Sequence, residues 1–211
     1  MIFKTINKEQ TGVIIEKKSK FIATIVPISS KNDAENNIKK IKKQYLDARH
    51  NCYAYCYLKD GSKITKSSDD GEPSGTAGIP ILKVLLENNL CNVLVVVTRY
   101  FGGILLGTGG LMRAYTQSTQ EAIKNSKIIQ KQEGYEVIIQ IKYQDLEYLK
   151  YYIKQTGDKI IDIQYGENIV MAIEGSINLI DQLKDKHCKI GNKIQKINSI
   201  NKKYIEKNVD F

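Results

Sequence analysis

The chain has little of what usually marks a metal centre, a disulfide scaffold or a membrane span. Its two histidines, His50 and His187, are far apart in sequence, which excludes a histidine-rich metal site. The four cysteines, Cys52, Cys56, Cys91 and Cys188, show neither metal nor redox spacing. Cys52 and Cys56 fall on one face of a strand-like stretch, CYAYCYL, which sets their Cα atoms roughly 13 Å apart, beyond the ~7 Å limit for a bridge. All four are read as reduced core residues, and no metal or cofactor is expected. No apolar run approaches the roughly 20 residues needed to span a bilayer. The opening residues, MIFKTINKEQ, lack the apolar region and cleavage site of a signal peptide. These absences predict a cytoplasmic protein with no membrane partner.

Arginine is also scarce: Arg49, Arg99 and Arg113 are the only three among 32 basic residues. The formal charge is nevertheless +9, and its distribution is uneven. Residues 1–130 carry 19 Lys+Arg against 11 Asp+Glu, net +8, whereas residues 131–211 carry 13 against 12, net +1. A compositional bias towards Lys, Ile and Asn explains the total. It would have spread the charge more evenly, so the basic first part points towards a polyanionic partner.

Short β-branched runs predict strands in TGVIIEKK and KFIATIVPI. A helix follows, opened by Ser30 with Asp33 three residues on, and carrying Ala34, Ile38, Ile41 and Tyr45 as one stripe. Its lysines, Lys39 to Lys43, read as a solvated face. HNCYAYCYL is a strand, and KITKSSDDGEPSGTAG is a loop by composition. The loop leads into a helix with Ile81, Leu82, Leu85 and Leu86 buried, capped by Ser74 or Thr76. CNVLVVVTRYF is an unbroken aliphatic strand expected to be buried on both faces. LMRAYTQSTQEAIK is a helix with Leu111, Tyr115, Ser118 and Ala122 on one side. The remainder reads β-α-β-β-α-β in about 70 residues, the ferredoxin-like split βαβ unit. The expected domains are residues 1–131 and 132–211, divided in the polar stretch IIQKQEG.

Two stretches carry candidate chemistry. TRYFGGILLGTGGLMRAY places Gly102, Gly103, Gly107, Gly109 and Gly110 between a buried strand and a helix, flanked by Arg99 and Arg113. Unpaired amides at a helix start favour an anion, glycines let it approach closely, and arginines add charge-assisted bonds. The pattern matches neither a Walker loop nor a dinucleotide fingerprint, and a tight structural turn explains it equally well. The second stretch, Ser67 to Thr76, also precedes a helix, so two helix N-termini can face one surface. Its Asp69, Asp70 and Glu72 suit Mg²⁺ or acid–base work; alternatively they cap turns and pair with Arg99 or Arg113. No histidine lies close to Ser74 in sequence, which leaves a hydrolytic triad little support.

DDGEPSGTAGIPIL followed by VLVVVTRYFGGILLGTGGLMRAY resembles the paired signature of the IMPACT/YigZ family, and the resemblance covers essentially the whole chain. It implies an α+β protein: an N-terminal α/β-sandwich domain like domain IV of elongation factor G, then a ferredoxin-like domain like its domain V. Eukaryotic relatives act in translational control by binding the activator of a starvation-responsive kinase. They carry a different accessory domain at the N-terminus, absent here, so that role is not carried over. By position, the family's signature surface comprises Asp69, Asp70, Gly71, Glu72, Pro73, Ser74, Gly75 and Thr76, together with Arg99, Tyr100, Gly102, Gly103, Gly107, Gly109, Gly110, Arg113 and Tyr115.

The expected function is a non-enzymatic, RNA- or ribosome-associated protein that regulates translation. Phosphates would bind at Arg99, Arg113, the glycines and Ser74, Gly75 and Thr76, and Tyr100-Phe101 offer a face for base stacking. The alternatives are an enzyme acting on a phosphorylated small molecule with Mg²⁺, and an adaptor for a translation-factor protein.

Overall fold

A computed structural model describes residues 2–206. Residue 1 and residues 207–211, where the expected domains begin and end, lie outside the described part. The architecture is mixed α/β, and the chain divides into two compact units, Phe3–Gln130 and the residues from Lys131 onward together with Ile2.

In the first unit, β1 (Ile2–Ile6) precedes β2 (Gln10–Glu16) and β3 (Ser19–Pro27), then α1 (Lys31–Gln44), β4 (His50–Lys59) and β5 (Ser62–Ser68). α2 (Gly78–Glu87), β6 (Val93–Tyr100) and α3 (Gly107–Lys124) complete it. Its antiparallel sheet runs in the order β2-β3-β6-β4-β5. Strand β6 is buried on both faces, as its aliphatic run implies, because the side chains alternate between two cores. Val93, Val95 and Val97 pack with α2 and α3, while Leu94 and Val96 pack with α1. Ser30 caps α1 by accepting from the Asp33 amide at 3.2 Å. Asp33 reaches back to the Ser29 amide at 2.9 Å, one residue outside a standard capping box.

Several local readings are corrected. Residues 63–68, read as loop, belong to edge strand β5, paired with β4 through the two-residue turn Asp60-Gly61. Both turn residues have positive φ, 49° and 78°, the geometry that asparagine or aspartate before glycine favours in hairpins. The buried stripe of α2 is Ile81, Val84 and Leu85, and Leu86 is exposed. Helix α3 starts at Gly107, so Gly109 and Gly110 are helical rather than part of the turn. Strand β1, absent from the sequence reading, buries Phe3 and Ile6. Cys56 and Cys91 are buried neighbours with sulfurs 3.1 Å apart, and Cys188 is half-buried rather than a core residue.

The second unit contains most of β7 (Ile128–Ile141), followed by α4 (Leu146–Gln155), β8 (Lys159–Tyr165), β9 (Ile169–Gly175), α5 (Ile177–Lys184) and β10 (Ile194–Glu206). Its strands lie in the order β10-β7-β9-β8, all antiparallel, so the first and third strands of the β-α-β-β-α-β series are central. Val137, Ile139, Ile141, Met171 and Ile173 face Leu149, Ile153, Leu179 and Leu183 of the two helices. Strand β7 begins within the polar stretch expected to divide the domains, and sheet pairing with β10 satisfies its backbone as far as Lys131. Among the described residues, no helix is long and apolar enough to cross a membrane.

Gly102 shows why the chain leaving β6 needs a glycine. A Cβ at this position would stand 2.1 Å from the Lys18 backbone carbon, and the Gly102 amide donates to Ser19 Oγ at 3.1 Å. Gly102→Ala forces two backbone segments apart and should destabilise the protein by about 2–3 kcal/mol. The check is the urea midpoint by circular dichroism; an unchanged midpoint would show that this close approach is not required.

Candidate functional site

Pairing across β3, β6 and β4 aligns Phe21, Arg99 and His50 in one row at the end of the sheet. Arg99 follows Val93, Val95 and Val97 at the same alternation and therefore projects into the layer occupied by α3. It is only 6% exposed, and its Nη1 donates to Glu72 Oε1 at 2.5 Å. The same carboxylate oxygen accepts from Tyr115 Oη at 2.9 Å. Tyr115, on α3, packs edge-on against Phe21 with ring centroids 5.2 Å apart. The Arg99 guanidinium lies 5.4 Å from the Phe21 ring centre and 5.7 Å from that of Phe101. A buried ion pair and two aromatic rings thus fix the base of the site.

The acidic loop serves this frame. Asp69 Oδ1 accepts from the Ala77 and Gly78 amides at 2.9 and 2.8 Å, and Oδ2 accepts from the Gly75 amide at 2.9 Å. Burial by itself would raise the Asp69 pKa, but these three amides hold it below the ordinary aspartate value. Asp70 binds Lys42 Nζ at 2.6 Å and accepts from the Asn51 amide at 2.8 Å. Positive φ at Asp70 and Gly71, 44° and 87°, turns the chain so that Glu72 enters the interior. Cys52 Sγ lies 2.9 Å from the Asp69 carbonyl oxygen and 3.3 Å from Tyr115 Oη. Burial pushes the Cys52 thiol up to about 12, and burial also raises Tyr115, so both keep their protons at neutral pH and neither is a ready nucleophile.

The sequence-selected residues therefore separate into two groups. Arg99 is not a free phosphate cation, because Glu72 already binds it. Gly75 and Thr76 do not present an open helix start: the Gly75 amide is held by Asp69, and the Thr76 hydroxyl donates to the Pro73 carbonyl at 2.6 Å. The cap of α2 is supplied by Asp69, not by Ser74 or Thr76, and this closes one of the two expected anion sites. Ser74 is exposed. Asp69, Asp70 and Glu72 each turn to a different partner, and no group of three His, Cys, Asp or Glu side chains among the described residues could hold a metal ion. Tyr100 is tied by its hydroxyl to Asp47 at 2.8 Å, which leaves Phe101 as the accessible ring.

Helix α3 is the open one. It begins after Leu106, and no side chain caps it. Gly107, Thr108 and Gly109 are exposed, as is Arg113 one turn further on. Gly103 and Gly107 adopt positive φ, 83° and 69°, and so shape the approach to the helix. Arg49, His50, Phe101, Leu105 and Thr108 surround a cleft between this helix start and the Glu72–Arg99 pair. Sequence reasoning missed Phe21, His50 and Cys52 as its supports, although the alternation from His50 to Cys52 along β4 put them on one face.

A basic α/β unit with a closed acidic loop and an open glycine-bearing helix start matches a known family. A family model, the Impact N-terminal domain, matches residues 17–123. The IMPACT family member YvyE of Bacillus subtilis (strain 168) is 38% identical over 170 residues, 78% of this chain and 76% of that protein. The IMPACT family member YigZ of Escherichia coli (strain K12) is 34% identical over 158 residues, 74% of this chain and 78% of that protein. The crystal structure of a hypothetical protein aligns with a TM-score of 0.65 and 29% identity over 98% of each chain. The chain belongs to the IMPACT family.

Proposed function

We propose that this protein is a non-enzymatic regulator of translation that associates with RNA or the ribosome through the surface around the start of α3. The observation that carries the reading is the contrast between two helix starts: Asp69 fills the amides of α2, whereas those of α3 face outward with no capping side chain. An uncapped helix start attracts phosphate, and exposed Arg113 adds charge-assisted bonds in the same neighbourhood. The surrounding unit is the basic one, with the +8 balance of residues 1–130. The implied likeness to domains of an elongation factor supports a place in translation and carries the finer fold assignment of both units.

Titration into a labelled mixed-sequence RNA, followed by fluorescence anisotropy at several salt concentrations, tests the reading. Binding should be saturable and should weaken with salt by about 0.7 log units per phosphate neutralised for each tenfold increase in salt. Arg113→Ala should lower affinity for all sequences and reduce the magnitude of the salt slope by about one. Absence of binding at low salt, or an unchanged slope in the variant, would overturn the assignment.

One observation favours an adaptor for a protein partner instead. Leu105 is 82% exposed beside exposed Phe101 and Ile104, an apolar tip that polyanion binding alone does not use. An adaptor would keep its partner affinity at salt concentrations that abolish RNA binding. The Mg²⁺-dependent enzyme reading has less support, because all three candidate carboxylates are already engaged within the protein.

A further inference from the structure

We propose that Cys56 and Cys91 are a redox-sensitive pair that hydrogen peroxide converts reversibly to a disulfide, stapling β4 to the segment that leads into β6. The pair lies at the far end of β6 from Arg99 and does not depend on the RNA-associated reading.

Strand register brings the two thiols together. They are 35 residues apart in the chain, so no short motif announces them, yet their sulfurs stand 3.1 Å apart in a thiol–thiol hydrogen bond. Strand β4 pairs with β6 as far as Cys56 opposite Val93, and Cys91 comes just before that end of β6. The connection is pinned there: the Cys91 amide donates to the Lys4 carbonyl at 2.9 Å, and Asn92 Oδ1 accepts from the Leu58 amide at 2.8 Å. Backbone pairing thus holds both cysteines in place. The sulfurs need to close by roughly 1 Å to reach disulfide separation, a movement that side-chain rotation supplies.

The two thiols are also unequal. The hydrogen bond from Cys56 draws the Cys91 pKa down to about 7 against the effect of burial, and the Asn92 amide and the charge of Lys63 add to it. The same bond, with burial, holds Cys56 above the ordinary thiol value. Cys91 is therefore the sulfur that reacts first, and Cys56 the one that resolves it. Both are buried, but the rim above them is thin. Asn92 is half-buried, and exposed Lys63 belongs to edge strand β5, which is exposed along most of its length. Local opening of such an edge admits a small peroxide.

The Cys91 thiolate attacks one peroxide oxygen: an S–O bond forms, the O–O bond breaks, and the departing hydroxide takes up the proton that Cys91 released. The Cys56 sulfur then attacks the sulfenic sulfur: the S–S bond forms, the S–O bond breaks, and water leaves with the Cys56 proton. Two thiols are oxidised and one peroxide is reduced to two waters. The ring so closed contains β5, the acidic loop and α2, the segment that supplies Asp69 and Glu72 to the site. It restricts the unfolded chain over that segment, so the oxidised protein resists unfolding more than the reduced one.

The full chain is treated with hydrogen peroxide under native conditions, alkylated in urea, digested without reductant and mapped by mass spectrometry. The expected product is a peptide pair joined through Cys56 and Cys91, short of two hydrogens and restored by dithiothreitol. The melting temperature should rise by about 10 °C and return on reduction. In Cys56→Ala, Cys91 should stop at the sulfenic acid, trapped by dimedone, and the rise should vanish. Should that variant fail to fold, the map of the parent protein decides.

Treatment that leaves both thiols free, carries Cys91 to the sulfinic acid without a bridge, or joins either cysteine to Cys52 or Cys188 would overturn the pair. A bridge that forms only in urea would do the same, since native geometry would not be its cause. A native bridge that lowers the melting temperature would overturn the staple, because strain would then outweigh the restriction of the unfolded chain.

Discussion

Glu72→Ala is expected to destabilise the protein by about 3–5 kcal/mol, because it strands the Arg99 charge in the interior. Glu72 and Arg99 are 9% and 6% exposed, so water cannot replace the lost carboxylate without opening the structure. The same change deprives the Tyr115 hydroxyl of its acceptor. Against a typical total stability of roughly 5–15 kcal/mol, the loss is large enough to reduce soluble yield. Glu72→Gln, which keeps the volume and one acceptor oxygen, should lose less. The double variant Glu72→Leu/Arg99→Met should recover much of the stability of Glu72→Ala, since replacing both charges removes the unpaired one. Urea unfolding of the four proteins decides the matter: a Glu72→Ala loss below about 1 kcal/mol would place the pair in solvent rather than in a buried frame.

Asp69→Ala should cost about 2–3 kcal/mol, as three backbone amides lose a charged acceptor at the start of α2. Asn in its place should lose less, keeping one acceptor oxygen without the charge. The pH dependence follows from the direction of the shift. The amides hold the folded pKa below the ordinary 3.8 despite the opposing effect of burial. Asp69 therefore contributes its full stabilisation above that ordinary value, and the contribution disappears as pH falls through the folded pKa. The parent protein should lose stability more steeply than Asp69→Asn as pH drops below about 4. Parallel curves for the two proteins would mean that Asp69 is not the group capping α2.

These two residues also show what could be read in advance. Asp69 and Glu72 stood out as acidic residues in a Gly- and Ser-rich stretch, and turn capping or pairing with Arg99 was one of two open readings. Nothing local distinguished Asp69, which caps a helix eight residues downstream, from Ser74 and Thr76, which lie nearer to it. Edge strand β5 escaped notice because KITKSS is polar on both faces, although Asp60-Gly61 announced the hairpin. Strand β6 was legible because it alternates between two apolar cores and therefore shows no polar face. Helix α3 began earlier than its pattern suggested, since glycines depress helix propensity and hide a start that tertiary packing enforces.

By itself the sequence determined the element series of the second half and most of that of the first, the concentration of positive charge in the first and the two signature stretches, because these depend on local periodicity and composition. The tertiary structure decided which helix start remains open. That outcome depends on an aspartate returning to the amides of α2, on Glu72 neutralising Arg99 across 27 residues, and on strand register bringing Phe21, Arg99 and His50 into one row. Each is a pairing between residues distant in the chain. A hydrogen bond or an ion pair leaves no periodic trace in sequence, so only the folded chain could reveal which charges were already spent.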